Sequence, residues 1–250
     1  MFGYQIYTVK RYKKLDKNRE SYVATVTHDL KSPTRAQINI LNMLLKEEFG
    51  KLNQKQQELL KLTCGSTKYM SNLVGNILTK YECDCSKFRL NYSKFNICEL
   101  ANNVLKANEW LSLEKEQKIV LNFSENIFVS GDKLEIERVI FNLLSNAITY
   151  GIKKTIISVE IVHVEDKVNF IVKNKGYPMR YKDFSNLFTK FGRAKNSYTN
   201  PSSTGLGLYV SKQIIEMHRG KMIANMTNNG LYTFGFSIPC VNNGLSIQKV

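Results

Sequence analysis

The sequence predicts an α+β protein built in two parts: an antiparallel helical hairpin, then a two-layer sandwich with helices on one face of a mixed sheet. Three observations carry that expectation. From about residue 15 to residue 83, apolar side chains recur at helical spacing with a single break. From residue 96 onward, helical patterns and alternating strand patterns are interleaved. The last strand pair turns on Asn229-Gly230, a hairpin signal.

The elements follow in order. Val23, Val26, Leu30, Ile38, Leu41 and Leu45 place one apolar stripe on a first helix from about residue 14 to residue 48. "FGKLN" breaks it with a glycine. Asn53 then stands as the cap of a second helix, with Gln56 three residues on in capping-box position. Leu59, Leu62, Tyr69, Leu73, Ile77 and Tyr81 continue that helix. Two helices bury little of their stripes alone, and a second copy would complete a four-helix bundle, so a homodimer is expected. "CDCSKFRLNYSKF" is short and polar and reads as a linker. "ICELANNVLKANEWLSLEKE" reads as a helix, "KIVLNF" and "IFVSG" as strands. "DKLEIERVIFNLLSNAITY" is a helix capped by Asp132. "TIISVEIVHVED" and "KVNFIVKNKG" alternate as strands, and "GLGLYVSKQIIEMHRG" is a helix closing on Gly220. The expected organisation is an N-terminal segment 1–14, the hairpin 15–83, a linker 84–95, a catalytic domain 96–240 and a tail 241–250.

Composition narrows the class. The chain of 250 residues is 43% hydrophobic and 23% charged, the balance of a globular protein. Its net charge of +15 is spread along the chain as lysine, without a block of five or six basic residues. There is no aromatic residue set interleaved with a basic stripe and no nucleic-acid reader motif, so no nucleic-acid partner is expected. No apolar run approaches the roughly 18 residues that span a bilayer, so no membrane segment is expected and the location reads as cytoplasmic. The five cysteines lack zinc-site spacing and read as reduced thiols.

Chemistry concentrates at four places. Asn142 and Asn146 lie four residues apart on one helix face, beside the apolar Val139, Ile140, Leu143, Leu144 and Ile148. Amide carbonyl oxygens suit Mg²⁺, a hard ion that keeps several waters. "VKNKGYPM" ends a strand with Asn174 and follows it with Gly176, where a backbone can approach a ligand. "NPSSTGLGLYVSK" runs a small-residue loop through Gly205 and Gly207 into a helix N-terminus, whose open N–H groups favour phosphate. "THDLKSP" sets His28 beside Asp29, with Ser32 on the same helix face and Pro33 expected to bend the helix. His28 is largely uncharged at neutral pH and nucleophilic. The other two histidines read as a half-exposed strand residue (His163) and a favourable charge at a helix C-terminus (His218).

Taken in this order, the motifs resemble the catalytic core of a sensor histidine kinase over about residues 15 to 240. "ATVTHDLKSPTRAQI" resembles the H box, "NLLSNAITY" the N box, "VKNKGYPM" the first glycine box, "LFTKFGR" the F box and "STGLGL" the second glycine box. The resemblance implies a sandwich shared with gyrase and heat-shock-90 ATPases, with ATP and Mg²⁺ as cofactors. It implies that Asn146, helped by Asn142, holds Mg²⁺, and that Tyr150, Asn174 and Gly176 lie at the nucleotide. It makes residues 179–204 a lid carrying Lys190 and Arg193, closed by Thr204, Gly205, Leu206 and Gly207. It implies in-line transfer of the γ-phosphoryl to His28, with Asp29 orienting the ring and Ser32 beside it, then passage to an aspartate of a response-regulator receiver domain. The alternative role is a non-catalytic dimeric scaffold or a phosphatase-biased pseudokinase. Four positions depart from the family pattern. Asn174 stands for the usual Asp, Pro178 for the box's second glycine, Thr149 for a basic residue and Ser32 for Thr or Asn.

Overall fold

A computed structural model describes residues 29–84, 89–113, 115–123, 126–189, 192 and 205–240. The chain divides into two compact units, Met1–Phe88 and Arg89–Val250.

In the first unit, α1 covers residues 29–45 and α2 covers Gln54–Asp84. The part of the first helix expected upstream, including His28, lies outside the described residues. Residues on both sides of Pro33 are helical, so the proline does not end the helix. The loop between the helices is fixed locally. Gln56 N–H donates to Asn53 Oδ1 and Asn53 N–H to Gln56 Oε1, both at 2.9 Å, which is the reciprocal capping box. Glu47 Oε1 accepts from Leu52 N–H and from Gln57 Nε2, tying the loop to the first turn of α2. Cys64, buried in α2, reaches Asn42 of α1 through Sγ at 3.6 Å. Leu30, Ile40, Met43, Leu59, Leu62 and Met70 stay exposed on the single chain.

The second unit is the mixed-sheet sandwich. Its strands are β1 (Tyr92–Asn96), β2 (Lys118–Asn122), β3 (Phe128–Asp132), β4 (Ile156–Val164), β5 (Lys167–Lys175), β6 (Lys221–Met226) and β7 (Leu231–Pro239). Its helices are α3 (Ile97–Leu113), α4 (Lys133–Tyr150), the short α5 (Tyr181–Ser185) and α6 (Gly207–Met217). Five strands form one sheet in the order β2-β4-β5-β7-β6, and β1 pairs with β3 in a separate ribbon. Only β2 and β4 run parallel; the other pairs are antiparallel.

Period-two burial explains the layering. Val168, Phe170 and Val172 of β5 point inward with Ile157, Val159 and Ile161 of β4, and all are buried. They meet the apolar stripes of α4 and α6, including Ile140, Leu144, Val210 and Ile214. Phe170 and Phe236 stack across β5 and β7 with ring centroids 5.3 Å apart. The opposite sheet face is polar, and there Lys173 Nζ bonds both carboxylate oxygens of Glu160 at 2.7 and 2.8 Å.

Caps set the helix starts. Asn96 Oδ1 accepts from Cys98 and Glu99 N–H at the start of α3. Asp132 Oδ1 accepts from Leu134 and Glu135 N–H at the start of α4, as its position predicts. Two local expectations are corrected. The segment read as a linker contains β1, whose pairing partners lie 32 to 40 residues away, beyond any local pattern. α6 stops at Met217, and the left-handed residue after it is Arg219, with φ 58°, rather than Gly220. Gly220 is needed for packing: a Cβ there would lie 2.3 Å from the Ser237 carbonyl oxygen.

Candidate functional site

α4 is the spine of the candidate site, and the elements on either side attach to it one turn at a time. At its middle, Asn142 is buried and its Nδ2 donates to Gly207 O at 3.4 Å and Ser211 Oγ at 3.3 Å. The first of the two paired amides therefore docks the opening turn of α6. Ser211, fully buried, is its side-chain partner, and sequence reading missed it because its sole signal is an i+4 offset from Gly207.

One turn further along α4, Asn146 is half-buried and its side chain makes no hydrogen bond among the described residues. An open amide oxygen one turn along α4 from the residue that docks α6 fits Mg²⁺ held with phosphate and water. No cluster of three or more His, Cys, Asp or Glu side chains offers a competing metal site among the described residues. α6 begins at Gly207 with Leu206 in the cap position, a residue whose side chain supplies no capping bond. The opening N–H groups of a helix suit an anion. Gly205 has φ +66°, a conformation that favours glycine.

At its far end α4 meets the end of β5. Tyr150 is the last helical residue, and Gly151 forms an isolated bridge with Gly176. Lys115 Nζ donates to the carbonyls of Ile148, Thr149 and Gly151, placing a cation at the negative end of α4. Gly176 N–H donates to Gly230 O at 2.8 Å, and Gly230, with φ +79°, holds the β6–β7 turn against it. A Cβ on Gly176 would lie 2.9 Å from the Tyr232 ring and one on Gly230 2.5 Å from Gly176 O. Packing against Tyr232 thus requires the glycine at 176, a reason beyond the ligand approach expected from sequence.

Asn174 sits two residues before Gly176 and pairs in register with Tyr232. It is 4% exposed, and its amide has no hydrogen bond among the described residues. The Tyr232 hydroxyl donates to Tyr177 O at 2.7 Å, and burial pushes this phenol up, so it stays a donor. The ring packs near Phe184 and Phe234. Phe184 lies on α5, which Arg180 anchors through two bonds to the buried Asp183 at 2.8 and 3.2 Å.

Of the residues singled out in the sequence, the structure brings Asn142, Asn146, Tyr150, Asn174, Gly176, Gly205, Leu206 and Gly207 onto α4 and the two segments packed against it. Asp29 and Ser32 belong to the helical unit, where both are exposed three residues apart on α1. His28, Lys190, Arg193 and Thr204 lie outside the described residues.

His218 overturns its surface reading. It is 4% exposed, with Nδ1 2.7 Å from Ile214 O and Nε2 accepting from Asp132 N–H at 2.9 Å. Burial pushes the imidazole below its ordinary value, outweighing the opposite pull of the Ile214 carbonyl and the Asp132 carboxylate. Sequence reading missed this because a histidine after a helix end has the same local pattern whether wet or buried. A pH dependence follows. Near pH 7.5 the ring is neutral folded and unfolded; below about 6.5 the unfolded chain takes a proton that the fold refuses. Stability contributed by His218 is therefore present above that value and lost as pH falls. Denaturation midpoints should drop between about pH 7.5 and 5.5, and His218→Gln should flatten that slope; equal slopes in the two proteins would reject the assignment.

The opening turn of α6 against the Asn142 amide of a neighbouring helix, backed by a mixed sheet, is an arrangement that suits a nucleotide. Residues 131–242 match the family described as histidine kinase-, DNA gyrase B- and HSP90-like ATPase. Over most of its length the chain is similar to sensor histidine kinases. It is 26% identical over 82% of its length to sensor protein DltS of Streptococcus agalactiae, of which it covers 50%. It is 25% identical over 94% of its length to the sensor histidine kinase WalK of Bacillus subtilis, of which it covers 39%. The chain thus spans half or less of the curated relatives it matches. Among solved structures, the catalytic domain of histidine kinase ThkA is 28% identical, with a TM-score of 0.54, over 60% of this chain and 96% of that one. The histidine kinase AdeS of Acinetobacter baumannii shares the fold at a TM-score of 0.57 and 24% identity, over 83% of this chain and 97% of that one. Among the described residues no helix is long and apolar enough to cross a membrane.

Proposed function

We propose that this chain is the core of an ATP-dependent protein-histidine kinase of a two-component system. The observation that carries the reading is the succession along α4. A docked amide (Asn142) sits under the first turn of α6, an open amide (Asn146) follows one turn on, and the Asn174–Gly176 segment meets the helix end. Phosphates go to the α6 end and the base to the Asn174 end. Asn146 holds Mg²⁺ through its carbonyl oxygen, which supplies charge neutralisation at the phosphates when bound. Lys190 and Arg193 add positive charge from the lid, and Thr204 to Gly207 close it.

An imidazole nitrogen of His28 attacks the γ-phosphorus. The bond to the ADP oxygen breaks, ADP leaves, and the ring proton passes toward Asp29. Rate comes from positioning and charge neutralisation. Ser32, exposed on α1 three residues after Asp29, is assigned a place beside the acceptor. The phosphoryl group then moves to an aspartate of a response-regulator receiver domain. The exposed Ile40, Leu59, Leu62 and Met70 support a homodimer in which a second copy covers them.

The test is incubation with Mg²⁺ and γ-labelled ATP. An acid-labile label on the wild-type chain that is absent in His28→Ala supports the kinase. A label that survives His28→Ala rejects that acceptor, and a chain that binds no nucleotide is a scaffold.

A further inference from the structure

We propose that Lys115 and Gln117, two residues of the turn between α3 and β2, are positioning residues for the nucleotide. They hold the exit of α4, and Gln117 does so although it destabilises the domain. The inference rests on the nucleotide-site reading above, because α4 carries Asn142, Asn146 and Tyr150.

The turn reaches the end of α4 from outside that helix. Lys115 N–H and Gln117 N–H both donate to Ser112 O, and Glu116 between them is left-handed, with φ 52°. Lys115 Nζ donates to Ile148 O at 3.0 Å, to Gly151 O at 3.4 Å and to Thr149 O. The last carbonyls of a helix have no intrahelical donor, and here one ammonium collects three of them. Gln117 takes the next, its Nε2 donating to Ile152 O at 3.2 Å. Ile152 N–H donates in turn to Lys175 O at 2.8 Å, between Asn174 and Gly176. The α3–β2 turn, the exit of α4 and the end of β5 are therefore joined through residues 148 to 152.

Gln117 makes its bond at a local disadvantage. It is 5% exposed, and its Oε1 is buried with no hydrogen-bond partner among the described residues. An unpaired buried oxygen lowers stability, and an apolar side chain of similar length would not do so. The amide fits because residue 151 has no side chain. The backbone there, at φ −70° and ψ 147°, is open to any residue. Space is the constraint: a Cβ on Gly151 would lie 2.6 Å from Gln117 Nε2 and 2.5 Å from Ala147 O. What the amide secures in return is the Nε2 contact to Ile152 O, which fixes where α4 ends and meets β5.

The experiment uses the full chain. It measures the dissociation constant of Mg-ATP, the labelling rate at saturating ATP and the thermal midpoint for Gln117→Met, Lys115→Met and Lys115→Arg. Gln117→Met removes the bond to Ile152 together with the unpaired oxygen. It should melt at or above the wild-type midpoint and still bind Mg-ATP about 3- to 12-fold more weakly, the worth of one ordinary hydrogen bond. Its rate at saturation should stay within about threefold of wild type, because binding alone is lost. Lys115→Met should weaken Mg-ATP by about tenfold or more, and Lys115→Arg, which keeps the cation, should return the affinity to within about threefold of wild type. A Gln117→Met chain with wild-type affinity overturns the inference. So does one that fails to fold, or whose affinity falls only in step with a lowered midpoint, since the amide is then structural. Should Lys115→Met not fold, the Gln117→Met result decides alone. A wild-type chain that binds no Mg-ATP overturns the site reading and this inference with it.

Discussion

Asn146→Ala is expected to lower Mg-ATP-dependent phosphorylation by about 100- to 1,000-fold while leaving the fold at wild-type stability. The two halves of this expectation come from one fact. Asn146 is half-buried, and its amide bonds no other group among the described residues, so truncation strands no protein partner. The function assigned to it is contact with the metal-bound phosphates, where charge changes most as phosphorus moves, so truncation removes stabilisation of the transition state. Asn142→Ala should behave differently. It leaves the buried Ser211 hydroxyl without its Asn142 donor, at about 1–3 kcal/mol, and loosens the start of α6. Initial labelling rates read beside thermal melts separate the two variants. An Asn146→Ala rate within about threefold of wild type would remove this residue from the metal site.

Phe236→Ala is expected to destabilise the Arg89–Val250 unit by about 3–5 kcal/mol. The ring is fully buried on β7, in the interior of the sheet order, and stacks on Phe170 of β5. Truncation leaves a cavity between a sheet and the α4–α6 layer. Neither wall collapses easily, because β7 is paired on both edges. Denaturant melts of the full chain and the variant give the difference. A loss under about 1 kcal/mol would mean that the ring is not the core element its burial implies.

The parts of this fold legible in the sequence are those fixed within a few residues. The α4 apolar pattern with Asp132 as its cap, the Asn53–Gln56 capping box and the alternation of β4 and β5 are decided by neighbours in the chain. The β6–β7 hairpin is too, though its loop covers Thr227–Gly230 before β7 begins at Leu231. The illegible parts are contacts between distant segments. β1 reads as polar linker because only Phe95 of its five residues is buried and its hydrogen bonds come from β3. His218 and Asp132 are 86 residues apart, and no spacing rule joins them. The site shows the same division. The Asn142–Asn146 spacing and the Gly205–Gly207 loop announce themselves, whereas Ser211 under Asn142 and Tyr232 against Gly176 emerge only once helix and sheet are packed. That packing also splits the paired amides, committing Asn142 to the protein and leaving Asn146 open.

The three backbones that meet at Gly151, Gly176 and Gly230 form a stitched seam. Its members cannot drift independently, since a displacement of the hairpin tip pulls the strand end, which pulls the exit from α4. Lengthening the tip by even one residue would therefore be felt at Asn174, in a different hairpin of the sheet. The end of β5 beside Asn174 is thereby moored on both sides, to the α4 exit and to the hairpin tip.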